Sequence, residues 1–259
     1  RYLMSSDVTD WWETSIIDMA PEQYPFRCKH IQDLIGTLSF PSMIWLMTRG
    51  DLPSEPQSKL LEAALVAAVD HGPQAPSIAA ARMAVTCGLG LNGAMASAVN
   101  MLDDVHGGAG EQAVELYSLA RQAMQDQGMS LTAASEQAVD TWQEQRSKFV
   151  PGFGHRFHKP EDPRAPRLLA LVREAASENL VSGEFADIAS AIQDLLNARK
   201  GKPVPMNIDG ATAVIYAELG FEAPLARGLF CLSRSVGIMA HAWEQMQQGG
   251  RNKGPTPPS

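Results

Sequence analysis

Apolar residues recur along this chain with the period of an α-helix almost from end to end, and that period excludes most other folds. Ser39 before FPSMIWLMTR and Gly50 after it read as an N-cap and a C-terminal stop. Ser54 reads as the cap of the next helix, reaching about Asp70, with Pro56 tolerated in its first turn. Leu61, Leu65 and Ala68 fall on one side of it. Further helices are expected at 77–87, 92–102, 111–127, 132–148, 166–177, 184–199, 210–219 and 225–247. The 77–87 and 92–102 pair is rich in Ala, and small side chains let helices approach closely, which predicts a central position for both. Strand patterns are scarce; only the edges of the first 40 residues could hold a short hairpin. The expectation is a mostly-α protein of nine or ten helices.

At 259 residues the chain can bury a sizeable core in one large domain or two unequal ones. No run reaches the length of apolar residues that a membrane helix needs; the longest, LLEAALVAAV at 60–69, carries Glu62 and stops at Asp70. No signal-peptide pattern opens the sequence, although it begins at Arg1 rather than Met. Cys28, Cys87 and Cys231 are odd in number and far apart, which suits neither a disulfide framework nor a structural zinc site and suggests a reduced, cytoplasmic setting. The net charge of −8 disfavours a general nucleic-acid binder. That charge is uneven. Residues 1–147 carry 8 basic and 18 acidic groups, whereas 148–167 carry five basic and two acidic. A basic island in an acidic chain points to a small anionic ligand.

Three connections rich in Gly or Pro break the helical pattern: DDVHGGAG at 103–110, FVPGFGHRFHKPEDPRA at 149–165 and GKPVPMNID at 201–209. Loops held by a rigid scaffold are where site residues tend to sit. His106 precedes two glycines that let a ligand approach an imidazole at a helix start; alone it also reads as a solvent-exposed turn histidine. His155 lies in PGFGHR, a tight loop able to offer N–H groups to an anion, with Arg156, Lys159 and Arg164 close behind. Asp209 reads equally as an N-cap. Arg234 sits inside an apolar helix and needs an anion there, from a protein carboxylate or a substrate. His241, two turns on, reads as a satisfied core histidine. No helix-borne zinc-ligand spacing joins the histidines, so no metal is expected. The tail GGRNKGPTPPS at 249–259 reads as a non-helical arm.

Six motifs then stand in order: Asp70-His71, HGGAGE at 106–111, PGFGHRFHK at 151–159, DPRA at 162–165, NID at 207–209 and LSRSVGIMAH at 232–241. Together, over roughly residues 13–253, they resemble the citrate synthase family. The resemblance implies a helical homodimer with a large domain (1–148 and about 210–259) and a small one (about 149–209). It implies carbon–carbon chemistry between an acyl-CoA and a 2-oxo dicarboxylic acid. Coenzyme A then arrives as the substrate thioester, and no cofactor is held permanently. By the same resemblance Asp209 is the base for the thioester α-proton, His106 the donor to the enolate oxygen, and His155 the group that binds and protonates the oxo-acid carbonyl. His71, Arg164 and Arg234 hold its carboxylates, and Arg251 reaches a partner subunit's site. Val150, Pro151, Gly152, Phe153 and Gly154 lie against the adenine region of coenzyme A, with Arg156 and Lys159 as further contacts.

The chain is short for a full citrate synthase, and it looks more like the citryl-CoA lyase-like branch. HGGAGE has Gly110 where the family commonly has Asn. Motifs do not choose a direction, because reversibility uses the same groups both ways. Citryl-CoA cleavage is the first expectation, synthesis of citrate or 2-methylcitrate the second, and a helical subunit without turnover the third. An intact His106, His155 and Asp209 argue against the last.

Overall fold

A computed structural model describes residues 14–17, 25–154 and 162–256. The chain divides into two compact units, one reaching Lys59 and the other starting at Leu60. In the first, β1 (Pro25–Phe26) and β2 (Lys29–His30) form an antiparallel hairpin. Arg27 and Cys28 at its tip have φ of 49° and 64°. Two left-handed residues match the twist of the flanking strands, so such a turn closes a two-residue loop even without Asn or Gly. Arg27 holds it by donating to Ser15 Oγ at 2.7 Å and to the Met47 carbonyl at 3.2 Å. The single-turn α1 (Ile31–Leu34) follows; four residues carry no period, which is why the sequence does not announce it.

α2 (Phe40–Arg49) runs between the expected signals. Ser39 Oγ accepts from the Ser42 N–H, and Gly50, at φ 88°, closes the helix. The hydroxyls of Ser39, Ser42 and Ser58 lie 2.7–3.1 Å apart and tie α2 to the start of α3 (Glu55–Ala67). Ser54 and Gln57 form a reciprocal cap there: the Ser54 N–H donates to Gln57 Oε1 at 2.9 Å, and the Gln57 N–H to Ser54 Oγ at 3.4 Å.

The second unit continues with α4 (Pro76–Thr86), α5 (Leu91–Val99), α6 (Ala109–Gln127), α7 (Leu131–Gln145), α8 (Arg164–Ser177), α9 (Glu184–Lys200), α10 (Ile208–Glu218) and α11 (Ala223–Gln248). Its hub is α10. Every residue from Gly210 to Ala217 is buried, and α6, α8, α9 and α11 surround the helix. The Ala-rich pair is less central than expected. α4 and α5 pack on each other and on α11, but their buried positions are confined to Ser77, Ile78, Ala81 and Thr86 in one and Ala94 and Ala98 in the other. Small residues set how near two helices come; full enclosure needs an apolar circumference, which IDGATAVIYAE supplies. Burial of a large apolar side chain is worth roughly 1.5–3 kcal/mol, so Val214 and Ile215 make α10 a firm base for the group at its start.

After α11 the tail turns back rather than extending. The Asn252 N–H donates to the Thr86 carbonyl at 2.9 Å and the Lys253 N–H to Thr86 Oγ1 at 3.1 Å. Among the described residues no helix is long and apolar enough to cross a membrane, and no His, Cys, Asp and Glu are grouped to hold a metal ion.

Candidate active site

Five segments converge on one cavity of about 330 Å³, bringing together His71, His106, Asp209 and Arg234, with Val105, Phe230 and Gly154 at its wall. A cleft of about 350 Å³ between α6 and α7 is lined by Gln122, Thr141, Gln145 and Arg146. Its carboxylate, Glu115, is already paired with Arg146 at 3.5 Å and no histidine lines it, so chemistry rather than size marks the site.

His106 lies in the tight link from α5 to α6. Its carbonyl accepts from the Asp103 N–H at 2.9 Å, Gly107 takes φ 104°, and a Cβ on Gly108 would meet Asp104 Cα at 2.7 Å. The two glycines therefore permit the fold of the loop itself. The ring reaches the first turn of α4, where Nε2 accepts from the Ser77 backbone N–H at 3.1 Å and lies 2.9 Å from Ser77 Oγ. That N–H is one of the groups a helix start leaves without an intrahelical partner. A backbone N–H can only donate, so Nε2 carries no proton and the neutral ring bears its hydrogen on Nδ1. Burial, and then the charge of Arg234, hold the imidazole below its ordinary value of 6.5. His106 is thus a neutral donor with a fixed tautomer.

Arg234 is placed by a ladder between α11 and the end of α3. Ser233 Oγ donates to the Leu65 carbonyl at 2.5 Å, Arg234 Nε to the Ala68 carbonyl at 3.0 Å, and the Gly237 N–H to the Val69 carbonyl at 3.1 Å. These donors satisfy carbonyls that the end of α3 leaves unpaired. Glycine at 237 is required by this approach, since a Cβ would strike Val69 O. Arg234 is 4% exposed, its guanidinium carbon stands 4.8 Å from the centre of the Phe230 ring, and no carboxylate lies within ion-pair distance among the described residues. Burial lowers its pKa, which Asp209 and Asp70 oppose. A buried cation facing a cavity without a paired anion is a binding group for one.

Beside it, Asp70 meets His241 Nε2 at 3.2 Å, and Arg82 Nη1 lies 3.4 Å from His241 Nδ1. An arginine can only donate, so His241 accepts there and donates from Nε2 to Asp70. His241 is satisfied, as expected, although it is half-buried rather than in the core. The neighbouring His71 lines the cavity.

Asp209 occupies the second position of α10. Asn207, not Asp209, is the cap: its Oδ1 accepts from the Asp209 and Gly210 N–H groups at 3.0 and 3.1 Å. The Asp209 carboxylate is therefore left to the cavity. Burial pushes its pKa above 3.8; the guanidiniums of Arg234 and Arg164 pull the other way, and Asp162 adds to the rise. Asn207 also donates from Nδ2 to the Gly154 carbonyl at 3.0 Å and from its N–H to the Gly152 carbonyl at 2.9 Å, while the Gly154 N–H donates to Pro205 O at 2.7 Å. Gly152 and Gly210 pack so closely that a Cβ on Gly152 would come within 2.6 Å of Gly210 Cα. This contact sets the loop against the start of α10.

Residues 53–253 match the family model described as citrate synthase, C-terminal domain. The chain belongs to the citrate synthase family. A citrate synthase of Haloferax volcanii is 30% identical over 202 residues, covering 78% of this chain and 50% of that protein. The solved structure of citryl-CoA lyase from Hydrogenobacter thermophilus superposes with a TM-score of 0.81 at 31% identity and covers 96% of both chains. ATP citrate lyase from Methanothrix soehngenii, solved with citrate and coenzyme A, shares the fold with a TM-score of 0.78 at 22% identity, over 95% of this chain and 40% of that one. The chain spans about half the length of the citrate synthase relative.

Against the family motifs, the cavity gathers His71, His106, Asp209 and Arg234 but not Arg164. That residue starts α8 and engages Asp162 bidentately, Nε to Oδ1 at 3.0 Å and Nη2 to Oδ2 at 2.8 Å. Of the glycine loop, Val150, Pro151 and Gly152 are buried, Phe153 is half-buried with its ring edge-on to Tyr117 at 6.4 Å, and Gly154 lines the cavity. His155, Arg156 and Lys159 lie outside the described residues. Arg251 lines a separate cleft formed by the tail. Ser77, Asp70's link to His241, and the cap made by Asn207 escape the sequence reading. An Asn before an apolar helix is a visible cap signal; nothing in the sequence announces that Ser77 meets a ring 29 residues on.

Proposed function

We propose that this chain catalyses reversible acid–base carbon–carbon chemistry of the citrate synthase type, running as citryl-CoA cleavage to acetyl-CoA and oxaloacetate. The observation that carries the reading is the shared cavity of His106, Asp209 and Arg234, with His106 locked as a neutral Nδ1–H donor. In cleavage, His155 takes the proton of the tertiary hydroxyl. The bond to the acetyl carbon breaks, the carbonyl of oxaloacetate forms, and the electron pair moves onto the thioester enolate. The His106 Nδ1–H stabilises the enolate oxygen, and Asp209, protonated, delivers its proton to the carbon. A raised Asp209 pKa suits that role, because a carboxyl that holds its proton longer is a better acid near neutrality. His71 and Arg234 hold the oxaloacetate carboxylates from the cavity, Arg164 joins them only by releasing Asp162, and the Val150–Gly154 loop with Arg156 and Lys159 takes coenzyme A. Synthesis of citrate is the second reading, favoured by the likeness to the Haloferax protein. Following acetyl-CoA and free thiol separately, from citryl-CoA and then from acetyl-CoA plus oxaloacetate, distinguishes the two. No turnover either way by intact protein overturns both.

Arg234→Leu should weaken oxaloacetate binding at least thirty-fold, since losing one partner of a desolvated charge pair costs about 2–5 kcal/mol. The variant loses the Arg234 Nε bond to the Ala68 carbonyl but should still fold, because Ser233 and Gly237 keep α11 tied to the end of α3. Unchanged affinity in a folded variant would return Arg234 to a structural role.

The same proposal includes a homodimer and the division into large (1–148, about 210–259) and small (about 149–209) domains. Support for the dimer comes from α11, which exposes Leu232, Val236, Met239, Trp243 and Met246. Their 4-3-4-3 spacing is that of a helix–helix seam. Trp243→Glu should bring the mass measured by light scattering down to the 28.0 kDa of one chain; a wild-type protein already at that mass rejects the dimer.

A further inference from the structure

We infer that Arg227 is a positioning residue for His106, resting on the function proposed above. Arg227 sits in α11, seven residues before Arg234. Its Nη1 donates to Asp103 Oδ1 and its Nη2 to Asp104 Oδ1, both at 2.5 Å, and its Nε donates to Glu111 Oε2. These three carboxylates bracket His106: two stand just before it and the third lies in the first turn of α6 just after it. One guanidinium therefore fastens both ends of the segment that carries the imidazole. Arg227 stays charged, its pKa raised by Asp104 against the effect of burial and further by Glu111. Without it, three like charges would crowd one another beside a loop held otherwise by the Asp103–His106 backbone bond, the contact of His106 with Ser77, and a Gln112 side-chain bond to the Asp104 carbonyl.

The arrangement also sets a distance. Seven residues of helix are two turns, about 10.5 Å of rise, so Arg227 and Arg234 lie near one face of the same rod. Arg234 faces the anion and Arg227 holds the loop of the enolate donor. The spacing between the two ends of the reacting site is thus written into α11. Arg227 contacts no cavity wall of its own, so its effect belongs on kcat and not on oxaloacetate affinity.

The test is Arg227→Met, with Arg227→Lys and the double variant Asp103→Asn/Asp104→Asn as companions. In Arg227→Met, kcat should fall on the order of ten- to hundred-fold, the scale for a misplaced reacting group, with KM for oxaloacetate unchanged. Arg227→Lys should recover part of it. Nitrogen-15 NMR of the histidine ring gives a readout independent of turnover. Wild-type His106 should show the Nδ1–H tautomer and resist protonation; in Arg227→Met it should titrate nearer 6.5 and exchange tautomers. Should Arg227→Met fail to fold, the double variant carries the test, with a smaller shift of the same sign in kcat and in the His106 signal. An unaltered His106 signal in a folded variant that lacks the pin overturns the inference, whether or not the chain turns over citryl-CoA. A changed signal with no activity in the wild type would sustain the positioning and sink the function.

Discussion

Asp209→Asn is expected to lower kcat by about two to four orders of magnitude, the range for removing a general acid or base, while raising the melting temperature at neutral pH. The two effects share one cause. Burial lifts the folded-state pKa of Asp209 above its ordinary 3.8. A carboxyl with a raised folded pKa contributes stability that is present below its unfolded pKa and lost as pH rises through the folded value. The loss grows as pH rises through the folded value, and an uncharged Asn of similar shape escapes it. Asn207 still caps α10, so the helix start is not disturbed. Thermal unfolding at pH 4 and pH 8 checks the sign: the gain should be larger at pH 8. The pH–rate profile carries the same information by direction. Cleavage needs Asp209 protonated and should fall as pH rises through its raised pKa; condensation needs it ionised and should fall as pH drops. A folded Asp209→Asn with near-normal kcat would remove Asp209 from the mechanism.

His106→Ala is the second large effect, about 10²–10³ in kcat, the usual cost of one preorganised donor at a developing oxyanion. Its pH signature runs opposite to that of Asp209. Burial and the Arg234 charge lower the folded pKa of His106 below 6.5. The neutral ring therefore stabilises the fold fully above 6.5, and that contribution is lost as pH falls from 6.5 through the lowered folded value. Protonation would put a hydrogen on Nε2 facing the Ser77 N–H, two donors against each other. Wild-type protein should lose melting temperature across that window, and His106→Ala should lose less. Equal slopes in the two proteins would mean that the ring is not held by the start of α4.

The sequence makes the helices legible because their caps are local chemistry. Ser39, Gly50 and Ser54 act within four residues of where they stand. The motifs likewise name His71, His106, Asp209 and Arg234, which the cavity brings together. What stays hidden is long-range. Ser77 and His106 are 29 residues apart, Arg227 and Glu111 116 apart, and Asp70 and His241 171 apart. No periodicity encodes such pairs, and they decide tautomer, charge and loop position. The misplaced centre has the same origin. Ala content at 77–102 is visible locally, whereas the enclosure of α10 depends on four other helices meeting around it.

The ladder from α11 to the end of α3 has a consequence for chain length as well as for residue identity. Ser233, Arg234, Gly237 and His241 must each meet a fixed atom between Leu65 and Asp70, while Arg227 meets the loop before α6. Adding or deleting one residue within α11 turns everything beyond it by about 100°. Such a change at Gly228, an exposed position where a Cβ would touch nothing within 4 Å, leaves the surface almost unaltered yet points Arg227 and Arg234 to different sides of the helix. Substitution there is tolerable and insertion is not: α11 acts as a ruler whose graduations, more than its lettering, the fold must preserve.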